Sequence, residues 1–373
     1  MMTSASQTKT VLHIFSGDLW AGAEVVVFNL LNELKTYSEL EIIALSLNEG
    51  ILTEKLQNIG VETYIIPEAK YSFPRIFLEA FLLLRGKKVD IIHTHRYKEN
   101  LLALLLTSLI GVRQLICTMH GLPEPQLYGE NDKTSVSWKK KIDYCILSHF
   151  FTRVVAVSQE MKNTLVEKYH FRQEKVDVIY NGIPIPSTNQ PINQSTNDRF
   201  HIGTVGRMVP VKDFNLFLEV AAEIKKRTDK VRFSILGDGP LKEQLIQKAK
   251  DLHIEGHTQF VSPSPDPFPY YQSLDLYLNT SLHEGIPLSI LEAMACGKPV
   301  VAAKVGGLPE IMPNGKDGVL IEGREPTDFV SACLRLMSDK ELRIAIGQNS
   351  SSRIRSDFGS FRMAESYRQL YKR

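Results

Sequence analysis

Short, wholly apolar runs alternate with longer segments whose apolar residues recur every three or four positions, along most of the chain. A continuous apolar run bounded by turn residues suits a strand buried on both faces, whereas the longer spacing suits a helix with one buried side. VLHIF from Val11 is the first such strand; the Gly-containing loop GDLWAGAE and the helical VVVFNLLNELK follow it. EIIALSL from Glu41, a helix over Leu52–Ile59 and VETYIIP continue the pattern, and VDIIHTH, RQLICTM and RVVAVS repeat it. Strands separated by helices imply βαβ crossovers and a mainly parallel sheet.

The pattern breaks where VDVIYNGIPIP runs into STNQPINQSTNDR, whose Ser, Asn, Gln and Pro mark a linker. It then restarts with FHIGTVGRM, a helix from Asp213, VRFSILGDGP, a helix from Leu241, TQFVS, LDLYLN and PVVAAK. The prediction is an N-terminal α/β domain over 1–185, a linker over 186–199 and a C-terminal α/β domain over 200–355. In the tail from Phe358, Phe, Met, Tyr and Leu fall at helical spacing, so 356–373 reads as a docking terminal helix. Two domains also suit 373 residues, given about 150 residues per domain.

A net charge of +2 gives no reason to expect nucleic acid as a partner. Cys117, Cys145, Cys296 and Cys333 lack CxxC spacing and have apolar neighbours, which suggests buried, reduced thiols in a cytoplasmic protein. The opening MMTSASQTKT lacks a signal-peptide pattern, and LLALLLTSLIGV from Leu101 falls short of the about 20 residues that span a bilayer. SWKKKIDYCILSHFFTR suits either a core helix with a basic outer face or a segment resting on an anionic membrane surface.

The stretch SLHEGIPLSILEAMACGKPVV raises the chemistry. Pro287 suits a helix start, which leaves Glu284 in the preceding loop and Glu292 more than a turn inside the helix. Free amides at such a start suit an anion such as a diphosphate, and carboxylates beside it can accept from sugar hydroxyls. They could equally be solvated charges. In VGRMVPVKDF, Arg207 and Lys212 offer a fork and a point charge to a phosphate chain; as surface cations they would mean little. GDLWAGAE has P-loop glycine spacing, but Ala23 and Glu24 stand where Lys and Ser/Thr are required, which argues against Walker-type hydrolysis and leaves a tight βα turn or a close backbone approach to phosphate or sugar. His120 projects from a strand end and could bond a substrate hydroxyl, bias charge or be structural, and LGDGP brings Gly237 to another strand end, where a Gly-rich turn could contact the donor nucleotide. His93 and His95 share one strand face, yet nothing nearby has the spacing to supply a third metal ligand.

Together EGIPLSILE, AMACGKPVVAAKVGGLPEI, VGRMVPVKDF, LGDGPLKEQL, VIYNGI, AVSQEMKNTL, MHG and AGAE resemble the retaining glycosyltransferases of family 4, also called glycosyl transferases group 1. The resemblance implies an α/β GT-B fold, two Rossmann-like domains facing across a cleft, the terminal helix crossing back to the first. It implies that Arg207 and Lys212 neutralise the donor diphosphate, that Glu292 binds ribose and Glu284 the donor sugar, and that Gly285, Ile286, Pro287 and Leu288 line the same pocket. His120 would contact the donor sugar, and Gly22 would let the first loop approach phosphate and acceptor. The partners implied are a nucleotide-sugar donor, UDP-linked by family frequency, and a saccharide or lipid-linked saccharide acceptor in polysaccharide, lipopolysaccharide or glycolipid assembly. No Asp-x-Asp motif is evident, so no cofactor or divalent metal is expected. Two departures stand out: Ala21-Gly22 replaces paired glycines, and Ile286-Pro287 replaces Phe-Gly. A nucleotide-sugar epimerase of the same fold would need acid/base carboxylates at first-domain strand ends, and none are apparent. A non-catalytic nucleotide-sugar-binding protein would not need Arg207, Lys212, Glu284 and Glu292 together.

Overall fold

The computed structural model describes residues 8–121, 138–186 and 199–373. The chain divides into two compact units, the first including residues up to Pro184 together with Ser360–Arg373, the second including Ile185–Gly359. The polar segment 187–198 lies outside the described residues.

In the first unit the strands are β1 (Lys9–Phe15), β2 (Leu40–Ser46), β3 (Glu62–Ile65), β4 (Ile91–Thr94), β5 (Gln114–Met119), β6 (Arg153–Ala156) and β7 (Val176–Val178). Between them run α1 (Gly22–Leu34), α2 (Ile51–Asn58), α3 (Phe73–Leu84), α4 (Tyr97–Ile110), α5 (Trp138–Phe150) and α6 (Gln159–Glu167). The sheet order is β3-β2-β1-β4-β5-β6-β7 and every pairing is parallel. The strands read as continuous apolar runs because helices cover both faces.

The second unit repeats the plan with β8 (Phe200–Val205), α7 (Phe214–Lys225), β9 (Val231–Leu236), α8 (Lys242–Asp251), β10 (Thr258–Val261), α9 (Phe268–Ser273) and β11 (Leu276–Asn279). It continues with α10 (Leu288–Ala295), β12 (Val300–Ala303), α11 (Leu308–Ile311), β13 (Val319–Ile321), α12 (Pro326–Ser338) and α13 (Lys340–Asp357). Its parallel sheet has the order β10-β9-β8-β11-β12-β13. Each sheet therefore reverses direction once, between β1 and β4 and between β8 and β11. Ligands of open α/β sheets bind at the carboxyl ends of strands beside that reversal.

The last helix, α14 (Ser360–Lys372), belongs to the first unit and packs on α1. Its buried face carries Met363, Tyr367, Leu370 and Tyr371. Lys9 donates to the Tyr371 carbonyl at 2.7 Å, Ser360 Oγ to Glu33 at 2.7 Å, and Arg368 pairs with Glu39 at 2.6 Å.

The cysteines need one correction. Cys117 and Cys333 are buried, but Cys145 is exposed and Cys296 half-buried, because helical neighbours in sequence face different sides. Trp138, Ile142 and Phe150 of α5 are exposed while Phe151 is buried. Leu78 and Leu82 of α3 and Leu105 and Leu109 of α4 are exposed as well. No described helix is long and apolar enough to cross a membrane.

Candidate active site

In the second unit, β8 ends at Val205 and the chain turns through Gly206-Arg207 into a short 3-10 turn, Pro210–Lys212. Asp213 follows with φ of +44° and caps α7 by accepting from the Leu216 amide at 3.4 Å. Arg207 is exposed, and its guanidinium makes no hydrogen bond or ion pair among the described residues. Lys212, by contrast, is committed: its Nζ lies 2.6 Å from Glu284 Oε1. The same oxygen accepts from Ser281 Oγ at 2.6 Å and Asn279 Nδ2 at 3.4 Å. Glu284 is thus a buried anchor for the ends of both β8 and β11.

Arg324, which the sequence reading did not single out, ties this corner together. It bonds the carbonyls of Ser281 at 2.9 Å and Thr280 at 2.7 Å, and it pairs with Asp213. The Glu284 backbone is gripped from the other side, where Gly307 N donates to the Glu284 carbonyl at 3.2 Å. Gly306 has φ of +52°, and a Cβ there would sit 1.7 Å from that carbonyl oxygen. Only glycine fits so close an approach. Gly237 has an equally structural task, since a Cβ on it would lie 1.9 Å from the Gly206 carbonyl oxygen.

The helix after Glu284 begins at Leu288, so Pro287 is its N-cap rather than its first residue. Pro287 contributes no N–H to this loop, leaving Gly285, Ile286 and Leu288 with amides. Glu292 lies more than a turn inside α10 and accepts from Tyr271 Oη at 2.7 Å. Burial pushes its carboxyl up to about 7.

In the first unit the loop after β1 leads into α1, with Gly22 as the first helical residue. A Cβ on Gly22 would meet nothing within 4 Å, so packing does not demand glycine there. Arg96, at the end of β4, pairs with Asp18 at 3.3 Å and with buried Glu24. Glu99, also buried, has its carboxyl raised by burial to about 8. The expectation that strand ends of this unit lack carboxylates therefore does not hold: Glu24 and Glu99 enter from the first turns of α1 and α4, beside Arg96.

The histidines also differ from the sequence expectation. His13 of β1 is the register partner of His93 in β4, so a third imidazole does join His93 and His95. Its distance along the chain hid it. His13 Nδ1 lies 3.4 Å from His95 Nε2, and His95 Nδ1 lies 3.0 Å from His120 Nε2. His93 uses both ring nitrogens, toward Tyr371 Oη at 2.7 Å and Thr118 Oγ1 at 2.8 Å. Burial drives all four imidazoles well below their usual range, to about 4 for His120 and about 3 for His13, so they are neutral near pH 7. His120 Nδ1 is buried without a partner among the described residues. Burial thus favours a neutral hydrogen-bonding group at His120 over a source of positive charge.

Known proteins carry the same plan. Residues 187–353 match the family described as Glycosyl transferases group 1, and residues 20–185 match Glycosyltransferase Family 4. The chain is 26% identical over 357 residues to the Escherichia coli UDP-Gal:alpha-D-GlcNAc-diphosphoundecaprenol alpha-1,3-galactosyltransferase, covering 91% of this chain and 90% of the relative. It is 27% identical over 314 residues to the D-inositol 3-phosphate glycosyltransferase of Corynebacterium jeikeium, covering 79% and 74%. The fold superposes on the Anabaena protein HepE, crystallised with UDP-glucose, with a TM-score of 0.84 at 19% identity, covering 97% and 99% of the two chains. The two matched halves, each built on its own Rossmann-type sheet, place the chain among the GT-B glycosyltransferases of group 1 and family 4, enzymes that draw on nucleotide sugars.

Proposed function

We propose that the chain transfers a hexose-type sugar, with retention of configuration, from a UDP-sugar to a saccharide or lipid-linked saccharide. The observation that carries this reading is the Arg207–Lys212–Glu284 corner at the β8/β11 reversal. Lys212 is already balanced by Glu284, so Arg207 is, among the described residues of this corner, the free cation for a departing diphosphate. Negative charge grows on that group as the glycosidic bond breaks, and a preplaced guanidinium stabilises it without reorganisation. Glu292 binds the ribose hydroxyls, Glu284 holds the sugar through its remaining oxygen, and the Gly285, Ile286 and Leu288 amides face the phosphates. The acceptor hydroxyl attacks from the face that the diphosphate leaves and passes its proton to the departing oxygen. No divalent metal is needed, because Arg207 and the amides supply the charge compensation.

Thermal shift against nucleoside diphosphates and their sugars tests the donor, since a ligand that binds the native state raises its apparent stability. UDP and a UDP-hexose should raise Tm in buffer containing a chelator. Arg207→Ala should leave the unliganded Tm unchanged while cutting transfer by about 100- to 1,000-fold. Glu284→Ala should cut transfer too, and it should also destabilise the fold by about 1–3 kcal/mol, because three donors lose their acceptor. Near-normal transfer by Arg207→Ala would refute this site.

Glu24 and Glu99 give an epimerase of the same fold some footing. Their placement around Arg96 favours structural neutralisation, and conversion of a UDP-sugar without any acceptor would reverse that preference.

The acceptor reading extends to a membrane surface. Trp138, Ile142 and Phe150 on α5 stand beside Lys139, Lys140 and Lys141, and α3 and α4, which pack in sequence with α5, expose four leucines. An apolar face rimmed by cations suits an anionic bilayer surface. Flotation with anionic liposomes should carry the protein upward, and Trp138→Ala with the lysine triplet changed to Gln should leave it at the bottom.

A further inference from the structure

Seven side chains of the first unit form one unbranched hydrogen-bonded line. It runs from His120 through His95, His13, Tyr371, His93 and Thr118 to Tyr367. Six links join them, and each group, when neutral, owns one mobile proton. Both ring nitrogens of His95, His13 and His93 are occupied by links, so no internal imidazole can point its proton elsewhere. Counting protons leaves four states with every link filled, because the surplus proton can sit at either end of the line or on Tyr371 or Thr118, whose oxygens can each accept from both neighbours. In one, all hydrogens point toward His120, all four imidazoles carry their proton on Nδ1, and the surplus proton sits on His120 Nδ1. In the opposite one, all point toward Tyr367, the imidazoles carry it on Nε2, and the surplus is the Tyr367 hydroxyl proton; in the remaining two the surplus is the hydroxyl proton of Tyr371 or Thr118, and His120 again carries its own on Nε2.

The four states are unequal. Tyr367 is fully buried and its hydroxyl has Thr118 as its described partner. Each state that turns the His120 proton inward therefore leaves one buried hydroxyl proton, on Tyr367, Tyr371 or Thr118, without a described partner and also leaves His120 Nδ1 as a bare buried acceptor. Pointing it outward leaves only the His120 Nδ1 proton without a partner, and a ligand oxygen can take that bond. One buried unsatisfied group fewer favours the outward state by about tenfold or more.

We propose that Tyr371, His13 and His95 are positioning residues that hold His120 in the Nδ1–H tautomer, so that it is a neutral hydrogen-bond donor to an oxygen of a bound saccharide. What His120 faces rests on the proposed function; its tautomer does not. The neutral state of the ring follows from burial and from Arg96 nearby, and it keeps the donor uncharged near pH 7. A metal held by His13, His93 and His95 would have to break one of the two short bonds that His93 already makes.

NMR of protein with nitrogen-labelled histidine distinguishes protonated from bare ring nitrogens. It is run on the unliganded chain, so the outcome is independent of whether transfer is ever observed. His120→Gln identifies the His120 signals by their loss. Wild type should show protonated Nδ1 and bare Nε2 at His13, His93, His95 and His120 together. Tyr371→Phe cuts the line in the middle and should shift His120 toward a mixture of tautomers. Tyr367→Phe removes an equally buried hydroxyl, but Thr118 can still donate to His93, so the pattern should persist. A protonated Nε2 on His120 in wild type, or equal effects of the two Tyr variants, would overturn the proposal. So would stoichiometric Zn2+ retained at the histidines after dialysis.

Discussion

Glu292 takes its chemistry from burial rather than from a charged neighbour. Desolvation holds its carboxyl neutral up to about 7, against an ordinary 4.5. A carboxyl whose pKa is raised in the folded state favours folding below its unfolded value, and that benefit is lost as pH climbs through the folded value. Wild type should therefore lose stability relative to Glu292→Gln between about pH 4.5 and 7, as denaturant titration at both ends would show. Ribose hydroxyls donate best to the ionised form, so UDP should bind more tightly as pH passes about 7, and Glu292→Gln should flatten that profile. Calorimetric titration across the range checks this. The two glutamates were legible in the sequence because Pro287 fixes where the helix begins. Arg324 and Asp213 were not, since they lie 111 positions apart and no local period joins them. The same holds for His13, His93 and His120, whose meeting is decided by strand order.

Among the elements, α10 and its flanking loops concentrate the backbone demands of the second unit. Gly306→Ala would force a side chain into the left-handed region and against the Glu284 carbonyl. It should lower Tm markedly and abolish transfer together, since Glu284 cannot stay where it is. Gly22→Ala provides the contrast: alanine favours a helix start and meets no atom, so Tm should hold or rise. Transfer should fall all the same if a ligand closes on that loop, and full activity would dismiss Gly22 from the site. The strands were legible because burial on both faces leaves continuous apolar runs. Two helices were harder to see for opposite reasons. α3 is apolar at nearly every position, with Leu78 and Leu82 facing outward, so no polar face marks its period. α13 is polar nearly all round, so its narrow buried stripe of Ile346, Gly347, Ser350 and Ile354 does not stand out.

For the molecule as a whole, the decisive contact is that of α14 with the beginning of the chain. Lys9 and Tyr371 are hydrogen-bonded across 362 positions, and Met363, Tyr367, Leu370 and Tyr371 are buried in the first unit. At about 1.5–3 kcal/mol for each buried apolar side chain, their sum rivals the stability of a domain. A chain ending at Gly359 should melt its first unit at a much lower temperature while the second keeps its own transition. Differential scanning calorimetry would separate the two, and a single unshifted profile would contradict the assignment. The consequence reaches into synthesis. The first unit leaves the ribosome early, yet its histidine line lacks both tyrosines until residues 360–372 emerge. Vectorial folding thus finishes the second domain before the first, and a message cut short near its end yields a protein with an intact second domain and an unfinished first.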